Sequence, residues 1–159
     1  MTDFEALYQR YAQDVFRFAL YLSGSRADAE DIASETFVRA WNSSGDIRQS
    51  TVKAYLLAIA RNCYLQGLRR SGRHTPLEDD FADPRQAPHE SAVQRGELES
   101  VRRDLQQLPE IDRAALLLSA AEEMSYEQIA ETLGLSLSAV KTKIHRARLR
   151  LEQARNRRR

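Results

Sequence analysis

Apolar residues along this chain recur every three or four positions, the period of a helix that buries one face. Phe4, Leu7, Tyr8, Tyr11, Val15, Phe18 and Leu22 predict a long amphipathic helix, capped by Asp3 and broken at the SGS of 23–25. A second helix starts near Ser25 and carries Ile32, Ala33, Phe37, Ala40 and Trp41 inward. NSSGD at 42–46 opens a polar loop running to about Ser50, and Thr51 begins a third helix with Tyr55, Leu56, Ile59, Ala60, Cys63 and Leu68 as its apolar set. No strand-like alternation interrupts these, so residues 1–70 read as a small helical bundle.

The pattern lapses over 71–91, where SGRHTPLEDDFADPRQAPHES holds three of the four prolines and an acidic cluster. Pro84 and Pro88 oppose regular structure, and Glu78, Asp79, Asp80 and Asp83 repel one another, so this stretch reads as a flexible linker. A second domain, 92–159, resumes with Val93, Leu98, Val101, Leu105 and Leu108 on one helix. Pro109 suits the first turn of the next, which buries Ile111, Ala114, Leu117 and Leu118.

The most informative stretch is Ser125 to Leu151, SYEQIAETLGLSLSAVKTKIHRARLRL. Ser125 with Gln128 has the form of a capping box, Gly134 suits the left-handed position past a helix end, and Ser136 can cap a further helix. Ala130, Gly134 and Val140 together supply the small contact residue, permissive turn and apolar anchor of a helix–turn–helix. On the second helix Leu137, Val140, Ile144, Ala147 and Leu151 line a core stripe, leaving Leu149 outside. Opposite the stripe lie Ser138, Thr142 and His145, flanked by Lys141 and Arg148 on one side and Lys143, Arg146 and Arg150 on the other. Short polar groups between two basic rows suit a helix in a major groove, where cations grip phosphates and the centre reads base edges. Thr142 and His145 are therefore expected to set base preference, and Arg146 to bind every sequence alike.

Composition narrows the classes further. The net charge of +1 conceals a polarity: from Leu137 onward there are 9 basic residues and 1 acidic. Such a local basic stripe attracts a polyanion whatever the total charge. No apolar run approaches the ~20 residues of a membrane span, and MTDFEALYQRY lacks the form of a signal peptide, which predicts a cytoplasmic protein without membrane insertion. Cys63 is the single cysteine and falls on an apolar stripe, so it reads as a core residue. His74, His89 and His145 are scattered, so no metal site is expected. No nucleophile–base pair or phosphate-cradling loop points to catalytic residues, a cofactor or a small-molecule substrate.

Four blocks in order, ADAEDIASETFVRAW at 27–41, YLLAIARN at 55–62, LQQLPEIDRAALLL at 105–118 and the helix–turn–helix, strongly resemble the extracytoplasmic-function (ECF) sigma factors of bacterial RNA polymerase. The resemblance implies an all-α protein of two small helical domains joined by a flexible linker. The first would be sigma region 2-like, binding core polymerase and the minus-ten element; the second would be region 4-like, binding the minus-thirty-five element. It further implies that Asp28, Asp31, Glu35, Thr36 and Phe37 dock on the polymerase clamp. The three acids share one helix face by spacing, which would equally fit a solvated face. Arg61 and Asn62 match the minus-ten reader, and the 42–51 loop matches the one that captures a flipped base. Tyr64, Arg69 and Arg70 could add stacking and phosphate contact, or be half-buried core and a basic helix end. Ser138, Lys141, Thr142, Lys143, His145, Arg146 and Arg148 would meet minus-thirty-five DNA. Tyr55, Ser34, Gln66 and Ala139 depart from the usual tryptophan, glutamine, acidic residue and threonine of the family.

The implied activity is that of a dissociable initiation factor performing no covalent chemistry, with core RNA polymerase, promoter DNA and an inhibitory anti-sigma factor as partners. Polymerase would fix the spacing of two weakly binding domains. Free in solution, an unfixed geometry and an acidic linker predict poor promoter binding. The competing reading is a stand-alone helix–turn–helix repressor or activator, which would be expected to dimerise across two half-sites.

Overall fold

The computed structural model describes residues 3–43, 51–71 and 92–158, and among these there are seven α-helices and no strand. They are α1 (Asp3–Ser23), α2 (Arg26–Asn42), α3 (Val52–Ser71), α4 (Ala92–Gln106), α5 (Glu110–Ala120), α6 (Tyr126–Leu133) and α7 (Leu137–Arg157). The expected linker and the base-capturing loop fall largely outside the described residues, at 72–91 and 44–50.

The starts of these helices are written in side chains. Ser25 caps α2 by accepting from the Asp28 amide, and the Thr51 hydroxyl accepts from the Ala54 amide at the head of α3. Ser125 and Gln128 form the reciprocal capping box of α6, and Ser136 accepts from the Ala139 amide on α7. Between α6 and α7, Gly134 takes φ 68°, and the Leu135 amide reaches back to the Ala130 carbonyl at 2.9 Å. Asp3, expected as the cap of α1, is itself helical.

α1, α2 and α3 pack as a bundle around Val15, Phe18, Leu22, Ile32, Leu56 and Ala60. α5, α6 and α7 make a second bundle around Leu118, Ile129, Val140, Ile144 and Ala147. Four residues expected inside are exposed: Tyr8, Trp41, Val101 and Leu137. Each sits near an element's end or on the margin of its stripe, where a helix of 3.6-residue period turns an apolar side chain away from the core. Trp41, at 61% exposure, leans edge-on against Phe4 with ring centroids 4.7 Å apart.

The two bundles are not independent in space. Their buried apolar residues form one contiguous cluster. α4 backs onto the C-terminal end of α1, where Gln106 Nε2 donates to the carbonyls of Tyr21 and Leu22 and the buried Arg102 donates to that of Gly24. Helix ends leave such carbonyls without intrahelical partners, so α4 supplies from a distance what local capping does not. In place of the unfixed geometry expected from the linker, the second bundle is docked on the first.

Candidate nucleic-acid interface

The face of α7 that points away from both bundles carries Ser138, Lys141, Thr142, His145 and Arg148, all exposed. The core stripe is narrower than expected because Leu137 is exposed, and Val140, Ile144 and Ala147 hold the helix. α6 crosses beneath, its Ile129 and Leu133 buried. The arrangement is a helix–turn–helix with a free outer face of polar and basic groups, shaped to enter a major groove.

Arg146 does not belong to that free face in the manner expected. Its Nε and Nη2 donate to the two carboxylate oxygens of Asp112 at 2.7 and 2.9 Å, and Asp112 is fully buried. Hydrogen bonding to Asp112 raises the Arg146 pKa. Lys143 Nζ lies 4.0 Å from the same carboxylate and is only partly exposed. The guanidinium is therefore first a tie between α5 and α7. The pattern of α7 alone could not reveal this pairing, because its acid is on α5; the Arg146 side chain is still 43% exposed.

On α2, Asp31 and Glu35 are exposed and Asp28 is half-buried at the helix start. Glu35 pairs with Arg39 one turn on, and Arg39 also donates to Gln66 of α3. Thr36 and Phe37, which the resemblance places in the docking segment, are both buried, Phe37 as its spacing predicts. The Thr36 hydroxyl is buried and donates to the Ile32 carbonyl at 2.7 Å. Phe37 is buried against Tyr8 and Phe4, ring centroids 4.9 and 6.4 Å away. Neither offers more than an edge to a partner; they shape the helix that carries the acids. Beside them, Phe4, Tyr8, Phe37, Val38 and Trp41 line an open apolar groove between α1 and α2.

The α3 candidates divide. Asn62, Arg69 and Arg70 are exposed, but Arg61 and Tyr64 face the second bundle. Arg61 donates through Nε and Nη2 to both carboxylate oxygens of Glu110, at 2.8 and 2.6 Å. Tyr64 is buried, and its hydroxyl accepts from Arg113 Nη2 at 3.1 Å. Burial pushes the phenol pKa up. Of its two readings, core and base-stacking surface, the docked arrangement makes it core. Glu110, Asp112, Arg113 and Glu122 were not singled out from the chain. Asp112 and Arg113 lie off the apolar stripe of α5, and only the burial of that helix on two sides reveals their role; Glu122 gives no pattern signal.

Two helical modules, the second a helix–turn–helix with polar and basic residues outward on α7, have the form of a DNA-binding protein. Comparison with known proteins makes this specific. Residues 7–74 match sigma-70 region 2, and residues 98–151 match sigma-70 region 4. The chain is 31% identical to RNA polymerase sigma factor YlaC of Bacillus subtilis, over 94% of this chain and 90% of that one. It is 30% identical to ECF RNA polymerase sigma factor SigM of the same organism, over 96% and 95%. With ECF RNA polymerase sigma factor SigE of Mycolicibacterium smegmatis it shares 35% identity over 95% of this chain, which spans 61% of that longer relative. The fold matches the sigma factor RpoE of Bartonella quintana, solved with the anti-sigma factor NepR, at a TM-score of 0.80, 27% identity and 98% coverage of both chains. It also matches CnrH, solved with the cytosolic domain of CnrY, at a TM-score of 0.72 and 27% identity, covering 96% of this chain and 87% of that one. The chain belongs to the ECF sigma factors of RNA polymerase.

Proposed function

We propose that this protein is a dissociable promoter-recognition subunit that performs no covalent chemistry itself and acts in the cytoplasm. The domains would be 1–70, binding core polymerase and the minus-ten element, and 92–159, binding the minus-thirty-five element, with 71–91 between them. Asp31 and Glu35, with Asp28 at their margin, would meet a basic surface on core RNA polymerase. Arg61, Asn62, Arg69 and Arg70 would meet the melted minus-ten strand. The outer face of α7 would read the minus-thirty-five duplex. The observation that carries the reading is the free polar and basic face of α7, presented by a helix–turn–helix at the end of a chain similar to sigma-70 regions 2 and 4 in order. Among the described residues no helix is long and apolar enough to cross a membrane.

An anti-sigma factor is a further expected partner. In support, the chain matches over 98% of its length a sigma factor crystallised with NepR, and the apolar groove between α1 and α2 is open to a helix from outside.

Run-off transcription with purified core polymerase on a genomic fragment library tests the proposal. Discrete start sites that need this protein support it. A dimer that protects a palindrome without polymerase, and directs no start site with it, would establish a stand-alone regulator instead.

A further inference from the structure

A guanidinium is a planar fork with two edges that can each donate in parallel, one formed by Nε and Nη2 and the other by Nη1 and Nη2. On Arg146 the first edge is occupied: the two carboxylate oxygens of Asp112 accept from it at 2.7 and 2.9 Å. Asp112 is fully buried on α5, so none of its own atoms can reach DNA. The Arg146 side chain nevertheless stays 43% exposed, and nothing among the described residues accepts from Nη1. Lys143 Nζ, 4.0 Å from the same carboxylate, is beyond hydrogen-bond reach and leaves the fork intact.

The free edge belongs to a residue placed beside the central polar groups of α7. Arg146 follows His145 and stands one turn on from Thr142, about 40° around the helix from it. On the opposite flank Lys141 and Arg148 are exposed and pair with no carboxylate among the described residues, so they offer phosphate an uncompensated charge. Arg146 offers little net charge, because Asp112 cancels most of it, but it offers N–H groups of fixed direction. Attraction to phosphate draws on charge, whereas reading a base draws on donor geometry. Two parallel N–H groups on one guanidinium edge match O6 and N7 of guanine in the major groove. We propose that Asp112 is a specificity-determining residue of the duplex interface: by holding one edge of Arg146 it presents the other to a guanine and withdraws the side chain from indiscriminate phosphate binding. Asp112 acts only through Arg146 and is therefore a positioning residue. The α7 pattern by itself predicts that Arg146 binds every sequence alike; the acid on α5 makes it a base reader. Ordering of the long side chain is completed on folding instead of on binding, which favours the contact further. This inference rests on the proposed reading of α7 as the helix that enters the duplex.

The test uses the full-length protein and a duplex library of randomised sequence, from which bound molecules are recovered and sequenced. The parent protein is expected to select a motif that contains a guanine. Asp112→Asn keeps the shape of the side chain and removes its charge. It should weaken that guanine preference about ten-fold, leave the preferences set by Thr142 and His145, and steepen the salt slope of duplex binding by about one. A purely structural Asp112 would weaken all sequences alike and would not steepen the slope. Arg146→Lys keeps the charge without the fork and should lose the same guanine. Circular dichroism melts establish that the variants are folded. Should Asp112→Asn not fold, nitrogen-15 NMR of the parent decides: the Arg146 Nε–H signal should keep its hydrogen-bonded position when the selected duplex binds, while the Nη protons shift. A guanine preference that survives both substitutions, an equal loss at every position, or an Nε–H signal that moves to that of free arginine on DNA binding overturns the proposal. A parent protein that selects no motif overturns the reading of α7 itself, and this inference with it.

Discussion

At the scale of residues, Asp112 shows how a charge can be structural inside a module whose business is charge. It is buried, and Arg146 satisfies both its oxygens, so the pair fixes the roll of α7 on α5. Arg146→Ala is accordingly expected to lower the melting temperature, because it leaves a buried carboxylate without its bidentate partner. Lys141→Ala or Arg148→Ala should leave melting unchanged and reduce the salt slope of duplex binding by about one each. Thr142→Ala or His145→Ala should shift preference at one or two base pairs by about 1–3 kcal/mol, measurable by competition with a mutated site. If Arg146→Ala altered the salt slope alone, with no change in melting, its tie to Asp112 would be incidental. Cys63 is quieter. Burial raises its thiol pKa, so the folded protein should react slowly with a thiol reagent at neutral pH. Because the unfolded thiol ionises first, its contribution to stability is full below the ordinary thiol pKa and falls as pH rises through the raised one.

Elements are bounded here by caps and by one glycine with two constraints. Ser136→Ala removes the acceptor for the Ala139 amide and should cost about 1 kcal/mol by thermal melting, with a frayed start to α7 and weaker duplex binding. Gly24 sits between α1 and α2 at φ 71°, and a Cβ there would come within 2.8 Å of the Gln106 side chain. Gly24→Ala therefore combines backbone strain of about 1–2 kcal/mol with displacement of Gln106 from the α1 carbonyls. It should destabilise the first bundle and loosen α4 together, which hydrogen exchange at Leu20–Leu22 and along α4 would separate. Gly134 lies in open space, so its substitution to alanine should show the backbone strain alone.

For the whole molecule, docking reverses which groups count as available. Linked modules free to wander would leave both faces of α3 open; packed modules cover Arg61 and Tyr64 while sparing the outer face of α7. In transcription with saturating core enzyme, Glu110→Gln with Glu122→Gln should use the same start sites as the parent protein. It should reach half-maximal output at a lower factor concentration, since less free energy is lost to opening. A changed start site would mean that Glu110 or Glu122 touches the promoter complex directly.

The helices, the caps at Ser125 and Ser136, the left-handed Gly134 and the outward row on α7 were legible in the chain, because each depends on residues a few positions apart and on a single period. So were the blocks that place it among the ECF sigma factors. Partnerships across long separations were not. Nothing in one helix's spacing announces that Glu110 will meet Arg61, that Glu122 will be buried between Arg17 and Lys53, or that Asp112 will take Arg146. Spacing placed Phe37 inward, as found, but it could not choose between the two readings of Tyr64, since periodicity tells which residues share a face but not which face another element covers. Local order is decided by neighbours along the backbone; burial and charge pairing are decided by whatever the folded chain brings alongside, and only the tertiary structure contains that.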